Sequence, residues 1–224
     1  MVKNTALLSL KQQKSAMNFK EILMDNALLQ WISTGGRLLG AVFYYEPKDK
    51  RVQPVLDFFR QPDWTKDWAT LANPALINAL IEKSAQQDLS QAYQYLFIGP
   101  NELPAPPWGS VYLDKESVIF GDSLLALRDF LTVHQIEFIQ TQNEPEDHLG
   151  LMLMLAAYLA ENKPELLEEF LTKHLFSWVY RCLDLIFAQT DYPFYQAMAL
   201  LARQTLKGWQ QQLDLQVDQP QLYR

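Results

Sequence analysis

Apolar residues recur three and four positions apart along most of this chain, the spacing that places side chains on one face of an α-helix. One such stripe runs through Phe194, Met198 and Leu201, and it begins at Pro193, a residue suited to a first helical turn. The pattern extends over nearly the whole sequence, with no internal repeat and no heptad seam. It predicts an all-α fold, a single globular bundle of about ten helices.

Prolines, glycines and capping residues divide this pattern into segments. The predicted helices cover residues 19–45, 52–59, two segments between 74 and 97, a segment from Asp114 or Asp122 to His134, 165–174, 175–188, and a last helix from Pro193. Residues 136–140 fit a short extended piece. Inside the first segment, the pair Gly35-Gly36 either interrupts the helix or lets another helix approach closely, and the sequence leaves both alternatives open.

The least helical stretch lies near residues 99–113 and is rich in proline. A regular helix is excluded there because proline lacks a backbone N–H and clashes with the preceding turn. The stretch also carries the apolar residues Trp108, Val111 and Tyr112. We therefore predict a stiff, unusually hydrophobic loop that links an N-terminal half to a C-terminal half.

The string Asn143-Glu144-Pro145-Glu146-Asp147-His148 directly precedes a long apolar run that starts at Leu149. Proline suits a first helical turn, Asn143 or Glu144 can cap it, and acidic residues suit the positive end of a helix. The string therefore predicts the start of a buried helix, with carboxylates and an imidazole gathered at its mouth.

Three interpretations of this polar cluster remain open from the residues alone. Glu144 and His148 are four positions apart and would share one helix face, so the carboxylate could orient the imidazole as a general base. The sequence offers no matching nucleophile or set of oxyanion donors, however. The cluster with Asp147 is otherwise a capping and charge network, or a site that holds a charged ligand or peptide.

A second constellation combines an apolar stripe with the proline-rich loop. Tyr93, Leu96 and Phe97 have helical spacing and are typical of a core, and Trp108 can pack the loop down onto it. Alternatively, a stiff aromatic loop beside a helical groove takes up an apolar peptide with little loss of ordering entropy. In the string after Gly121, Asp122 or Ser123 is expected to cap the next helix.

Composition narrows the function classes. The formal net charge of −7 disfavours nucleic acid, and the single cysteine, Cys182, excludes an intrachain disulfide and fits a reducing compartment. No phosphate-binding loop, nucleophile elbow or zinc spacing is present, so no cofactor or metal is expected. The longest apolar run, 149–160, would span roughly 18 Å, too short for a bilayer core of about 30 Å. We expect a soluble, cytoplasmic protein.

The chain resembles the TorD-type redox enzyme maturation chaperones, also called twin-arginine leader-binding proteins. The resemblance runs from about residue 40 to the C-terminus. It rests on four strings: Tyr-Leu-Phe-Ile-Gly-Pro (95–100), Pro-Pro-Trp-Gly-Ser-Val-Tyr-Leu-Asp (106–114), Phe-Gly-Asp-Ser (120–123) and Asn-Glu-Pro-Glu-Asp-His (143–148). It implies a TorD-like helical domain over residues 26–224, preceded by a poorly ordered extension or short helix at 1–25.

The resemblance also implies a non-catalytic chaperone. Such a protein binds the twin-arginine signal peptide of a molybdopterin oxidoreductase precursor, typically the dimethyl sulfoxide reductase catalytic subunit, and holds it until it is passed to the twin-arginine translocase. Membrane association would be peripheral at most. The runner-up is a nucleotide-dependent switch or an enzyme that uses the Glu144/Asp147/His148 cluster. The implied peptide-binding residues are Tyr93, Leu96, Phe97, Trp108, Gly121, Glu144, Pro145, Asp147 and His148.

Overall fold

The structure of the protein is a computed structural model that describes residues 26–68, 71–137 and 144–224. In these ranges every regular element is helical, which confirms the all-α prediction. The predicted features at 1–25 and at Asn143, and most of the extended piece at 136–140, lie outside the described residues. The α-helices are 26–44 (α1), Gln53–Arg60 (α2), Pro74–Lys83 (α3), Leu89–Tyr93 (α4), Ser110–Leu113 (α5), Asp122–Val133 (α6), Leu149–Asn162 (α7), Leu167–Phe170 (α8), Val179–Phe187 (α9) and Pro193–Gln212 (α10).

Short helical turns of other kinds connect or extend these helices. Single 3₁₀ turns lie at Trp64–Asp67 and Pro164–Leu166, and π-helical turns at Gln94–Ile98 and Leu171–Leu175 continue α4 and α8. The Asn73 side chain accepts a hydrogen bond from the Leu76 N–H (3.1 Å) and thereby caps α3.

Helix α7 forms the centre of the core. Its side chains are apolar around nearly the whole circumference, as expected for a helix surrounded by other elements. Helix α1 crosses it with almost no space between the backbones. A Cβ atom added at Gly36 would lie 2.5 Å from the Leu153 carbonyl oxygen, and one at Gly40 would lie 2.7 Å from that of Gly150. Because α1 continues unbroken through Gly35-Gly36, the close-approach alternative is the correct one.

The proline-rich stretch is part of the core and not an exposed linker. Ala105, Val111 and Tyr112 are buried, and the Tyr112 ring stacks on Trp178 with 5.6 Å between ring centroids. The stretch also contains one helical turn, α5, which the sequence did not predict. Its apolar residues bring it inside the bundle, because burial removes their surface from water.

The C-terminal segment closes over the same stretch. The Tyr223 N–H donates to the Tyr112 carbonyl (2.9 Å), and the Arg224 guanidinium donates to the Glu102 carboxylate (2.9 Å) and to the Leu103 carbonyl (2.8 Å). The proline-rich stretch is thus held on one side by the core and on the other by the end of the described chain.

Candidate functional site

A short backbone pairing joins the proline-rich stretch to the start of α7. The Leu149 N–H donates to the Pro107 carbonyl (2.6 Å), and the Gly109 N–H donates to the Asp147 carbonyl (3.1 Å). This pairing is an isolated antiparallel bridge between Trp108 and His148. It places the two rings 6.2 Å apart in an edge-to-face arrangement.

The pairing also determines where α7 begins. The sequence predicted a start at residues 143–145, which is wrong, because α7 starts at Leu149 with His148 as its N-cap. The His148 Nδ1 atom accepts a hydrogen bond from the Gly150 N–H (3.1 Å). Glu144 and Pro145 lie before the helix, since the backbone that follows them is engaged with the proline-rich stretch. Glu144 and His148 therefore do not share a helix face.

His148 is buried between two aromatic rings, those of Trp108 and Tyr44, the latter at 5.5 Å between centroids. Loss of water around the imidazole lowers its pKa to about 3, so the ring is neutral at physiological pH. With its Nδ1 atom occupied by the helix cap, His148 has a structural role here. The geometry does not form the general-base pair with Glu144 that one interpretation required.

Glu144 instead bonds to the indole. Its Oε2 atom accepts a hydrogen bond from Trp108 Nε1 (3.1 Å), and both side chains are half-buried. Burial raises the pKa of this carboxyl group, while the bond from Trp108 opposes the shift. Trp108 is therefore oriented at the edge of the site and not sealed inside the core.

Asp147 lies deeper, with 4% of its surface exposed. Its Oδ2 atom accepts a hydrogen bond from the Ser110 N–H (2.7 Å), a contact between residues 37 positions apart. Its Oδ1 atom is buried and makes no hydrogen bond of normal geometry to the described residues. Desolvation raises the pKa of this carboxyl group, while the backbone N–H and the hydroxyl of Ser110 oppose the rise. A buried acceptor without a partner is costly unless a donor reaches it.

Asp147 lines a cavity of about 210 Å³ between α5, α6 and the π-helical turn at Leu171–Leu175. Ser110, Leu127 and Trp178 contribute to the wall. Lys173 also borders the cavity, but its Nζ atom is paired with the Glu169 carboxylate (2.8 Å). The cavity thus combines an apolar wall with one buried carboxylate, an arrangement that can hold a donor-bearing cationic group.

The third carboxylate of the segment, Glu146, is already paired. Its Oε2 atom lies 2.8 Å from a guanidinium nitrogen of Arg128 on α6. The central carbon of the Arg128 guanidinium lies 5.7 Å from the centroid of the Phe120 ring. Arg128 therefore connects the segment before α7 to the turn before α6.

Tyr93, Leu96 and Phe97 lie in the core. The Tyr93 hydroxyl donates to the Tyr44 carbonyl (2.7 Å), and burial raises its pKa. The Phe97 ring packs against Phe43 and Tyr195, at 6.1 Å and 5.2 Å between centroids. The core interpretation is therefore correct for these side chains in this conformation. Tyr93 is connected to the site through Tyr44, whose ring packs on His148, and the side chains of Leu96 and Phe97 are buried.

Gly121 shapes the turn before α6. A Cβ atom at this position would overlap the Asp114 carboxylate. Asp114 accepts hydrogen bonds from the Ser123 N–H (3.2 Å) and hydroxyl (2.6 Å). The predicted capping of α6 by Asp122 or Ser123 is wrong, because the N-cap is Gly121 and it makes no side-chain cap. Ser123 is instead used to hold Asp114.

Sequence reasoning missed three residues that organise the site, Ser110, Asp114 and Arg128. Ser110 and Asp114 stand inside the strings that were singled out, yet their partners are tertiary contacts that no local spacing reveals. Arg128 lies on the exposed side of an ordinary amphipathic helix, where no pattern distinguishes it from a solvated cation.

Two properties of the whole described chain bear on function. None of its helices within the described ranges is both long and apolar enough to cross a bilayer. Over the same ranges, no three His, Cys, Asp or Glu side chains are grouped so that they could hold a metal ion.

The amino-acid sequence is similar to those of known proteins. The family model of the nitrate reductase delta subunit matches residues 61–184. "Probable Tat proofreading chaperone DmsD" of Haemophilus influenzae is 58% identical over 204 residues, 90% of this chain and 100% of the relative. "Tat proofreading chaperone DmsD" of Salmonella typhi is 47% identical over 190 residues, 84% of this chain and 93% of the relative.

A solved structure resembles the fold. The "Crystal Structure Of A Putative Redox Enzyme Maturation Protein From Archaeoglobus Fulgidus" aligns with a TM-score of 0.52 and 18% sequence identity, covering 77% of this chain and 93% of that one. At this identity the similarity concerns the helical architecture alone.

Proposed function

The chain belongs to the TorD family of redox enzyme maturation chaperones, in the branch of the Tat proofreading chaperone DmsD, and we propose on this basis that it binds a twin-arginine signal peptide. The proposed peptide is the leader of a molybdopterin oxidoreductase catalytic subunit, dimethyl sulfoxide reductase. The chaperone retains this precursor in the cytoplasm during maturation and then releases it to the twin-arginine translocase for export.

A non-catalytic role fits both the family and the site. The relatives are named chaperones and not enzymes, which agrees with the expectation that this chain catalyses no reaction. The Nδ1 atom of His148, the candidate general base, already accepts the hydrogen bond that caps α7. What the site retains is recognition chemistry: an oriented indole, a half-buried carboxylate and a buried carboxylate.

The observation that carries the proposal is the buried Oδ1 atom of Asp147. It makes no hydrogen bond of normal geometry to the described residues, and it belongs to a residue that lines a cavity with apolar walls. A leader arginine supplies what is missing, because its planar guanidinium donates several hydrogen bonds and brings the opposite charge. Such charge-assisted bonds are about twice as strong as neutral ones.

Trp108 and Glu144 complete the proposed arginine site at its rim. The Trp108 indole is half-buried and donates its Nε1–H to Glu144, which fixes the orientation of the ring. Arginine stacks on aromatic faces, and Glu144 offers a second carboxylate for the adjacent arginine. The formal net charge of −7 also speeds encounter with a basic peptide.

The substitution Asp147→Asn tests this assignment. Asparagine keeps the shape of the side chain and an oxygen to accept the Ser110 N–H, so the loop anchor is retained while the charge is lost. We expect the affinity for a twin-arginine leader, measured by calorimetric titration, to fall at least about tenfold, or 1.4 kcal/mol. The melting temperature should change little.

Glu82→Gln is the matched control. It removes the same charge from an exposed residue on α3, a helix that packs against α10 and does not line the Asp147 cavity. This variant should bind the leader like the wild type. Equal affinity of wild type and Asp147→Asn, with both proteins folded, would remove Asp147 from the peptide site.

A further inference from the structure

The turn before α6 carries an unusual exposed apolar surface. Val118, Ile119 and Phe120 follow one another and are all exposed, Val118 by 48% and Phe120 by 61%. Within the described residues this is the one run of three consecutive exposed large apolar side chains. Leu125, 51% exposed, follows on the first turns of α6. We call these four residues the apolar turn.

The backbone holds the apolar turn in a strained conformation. Phe120 has a φ of 75° and Ser117 has a φ of 50°. Residues other than glycine rarely adopt a positive φ. Asp114 fastens both ends, since its carbonyl accepts the Ser117 N–H (2.9 Å) and its carboxylate accepts two bonds from Ser123. Strain that the surrounding structure maintains is concentrated at sites that act on ligands.

The apolar turn is continuous with the proposed arginine site. Arg128 lies over the Phe120 ring and pairs with Glu146, one residue before Asp147. The opposite side of α6 lines the Asp147 cavity through Ser123 and Leu127. The carboxylates of the segment before α7 therefore lie beside the exposed apolar side chains of the turn before α6, and α6 contacts both.

The burial of Leu96 and Phe97 leaves the proposed peptide without the apolar contacts that the sequence assigned to it. An export leader has a basic region followed by an apolar region. A peptide whose arginines enter the Asp147 cavity must place that following region on neighbouring surface. We propose that the apolar turn of Val118, Ile119, Phe120 and Leu125 binds the hydrophobic region of the leader.

This inference rests on the proposed function and deepens it by giving the two regions of the peptide separate contacts. Exposed apolar patches bordered by polar residues are typical of interaction sites. Gly121 also gains a role, because only a residue without Cβ lets Asp114 hold the turn in place. It is a positioning residue that the peptide need not touch.

The test combines protein variants with two leader peptides in calorimetric titrations. One peptide has the natural apolar region, and the other keeps the arginines but has serines in place of the apolar residues. We expect Phe120→Ala to weaken binding of the first peptide about tenfold and to leave binding of the second unchanged. Val133→Ala, at an exposed apolar residue at the other end of α6, is the control and should bind both peptides like the wild type.

A second variant separates binding from folding. Phe120→Gly also removes the ring, but glycine tolerates a positive φ, so the protein should unfold at the same or a higher temperature while losing the same affinity. Unchanged affinity of both Phe120 variants, together with weakened binding by Asp147→Asn, would overturn the role of the apolar turn and leave the arginine site standing. If the wild type binds neither peptide, the proposed function fails with it.

Discussion

Two adjacent buried residues, Asp147 and His148, differ in how their polar atoms are hydrogen-bonded. The His148 imidazole caps α7 and packs against Trp108 and Tyr44. The Oδ1 atom of Asp147 makes no hydrogen bond of normal geometry within the described part of the chain. A buried polar group with a hydrogen-bond partner stabilises the fold. A buried polar group without one carries a free-energy cost, which a ligand that donates a hydrogen bond would remove.

The low pKa of His148 makes a prediction about acid stability. The unfolded chain takes up a proton on this residue below its ordinary pKa of about 6.5, whereas the folded state does so only near pH 3. The folded state therefore loses stability as the pH falls from 6.5 towards 3. In His148→Asn the cap is kept, since asparagine is a good N-cap residue, but the titrating group is gone.

Urea unfolding at pH 7 and pH 4.5 measures this effect. Between these two values the wild type should lose on the order of 2 kcal/mol more of its unfolding free energy than His148→Asn does. Comparing each protein with itself cancels the packing lost with the imidazole. If both proteins lose the same unfolding free energy between pH 7 and pH 4.5, the folded state takes up a proton on His148 as readily as the unfolded chain does, and the prediction is wrong.

At the residue scale, the sequence revealed the types of chemistry but not the partners. The sequence singled out the string 143–148 and Trp108, and the structure brings Trp108 against Glu144 and His148. The bonds from Ser110 to Asp147 and from Trp108 to Glu144 join residues 37 and 36 positions apart. Contacts of this range depend on how the proline-rich stretch packs, and no local pattern specifies that.

At the scale of elements, the crossing of α1 and α7 depends on glycine. Gly36→Ala would place a methyl group 2.5 Å from the Leu153 carbonyl oxygen and 3.1 Å from the Ala157 Cβ, so the helices must separate. We expect the unfolding free energy to fall by about 1–3 kcal/mol, as for other overpacked cores. Thermal or urea unfolding measures it.

Gly35→Ala is a neighbouring control on the same helix. Its nearest contact is the side chain of Trp209 at 3.3 Å, which can adjust, and alanine favours the helical state over glycine by about 1 kcal/mol. This variant should match or exceed the stability of the wild type. If Gly36→Ala is equally stable, the tight crossing of α1 and α7 is not required.

Helical periodicity was a reliable guide to the existence of the elements, because each helix must bury one face regardless of its neighbours. It was a poor guide to where they begin. Helix α7 starts later than the proline and acidic residues indicated, since the bridge between Trp108 and His148 uses the preceding backbone. Only the assembled fold decides between Gly35-Gly36 as a break and as a contact.

The described residues combine an apolar core with a surface where charged and exposed apolar side chains lie side by side. The proline-rich stretch carries Trp108 and is fixed by the bridge to α7, by the stack of Tyr112 on Trp178, and by the tail at Tyr223 and Arg224. A site fixed in this way loses little entropy when a flexible peptide binds, which favours recognition by a chaperone.

The proposal that this protein binds twin-arginine leaders is best tested by calorimetric titration with a synthetic twin-arginine leader, beside the same peptide with both arginines replaced by lysines. Lysine keeps the positive charge but lacks the planar set of donors that suits Asp147 and the face that stacks on Trp108. We expect saturable binding that clearly prefers the arginine peptide. Absence of binding, or equal affinity for both peptides, with the protein shown to be folded, would contradict it.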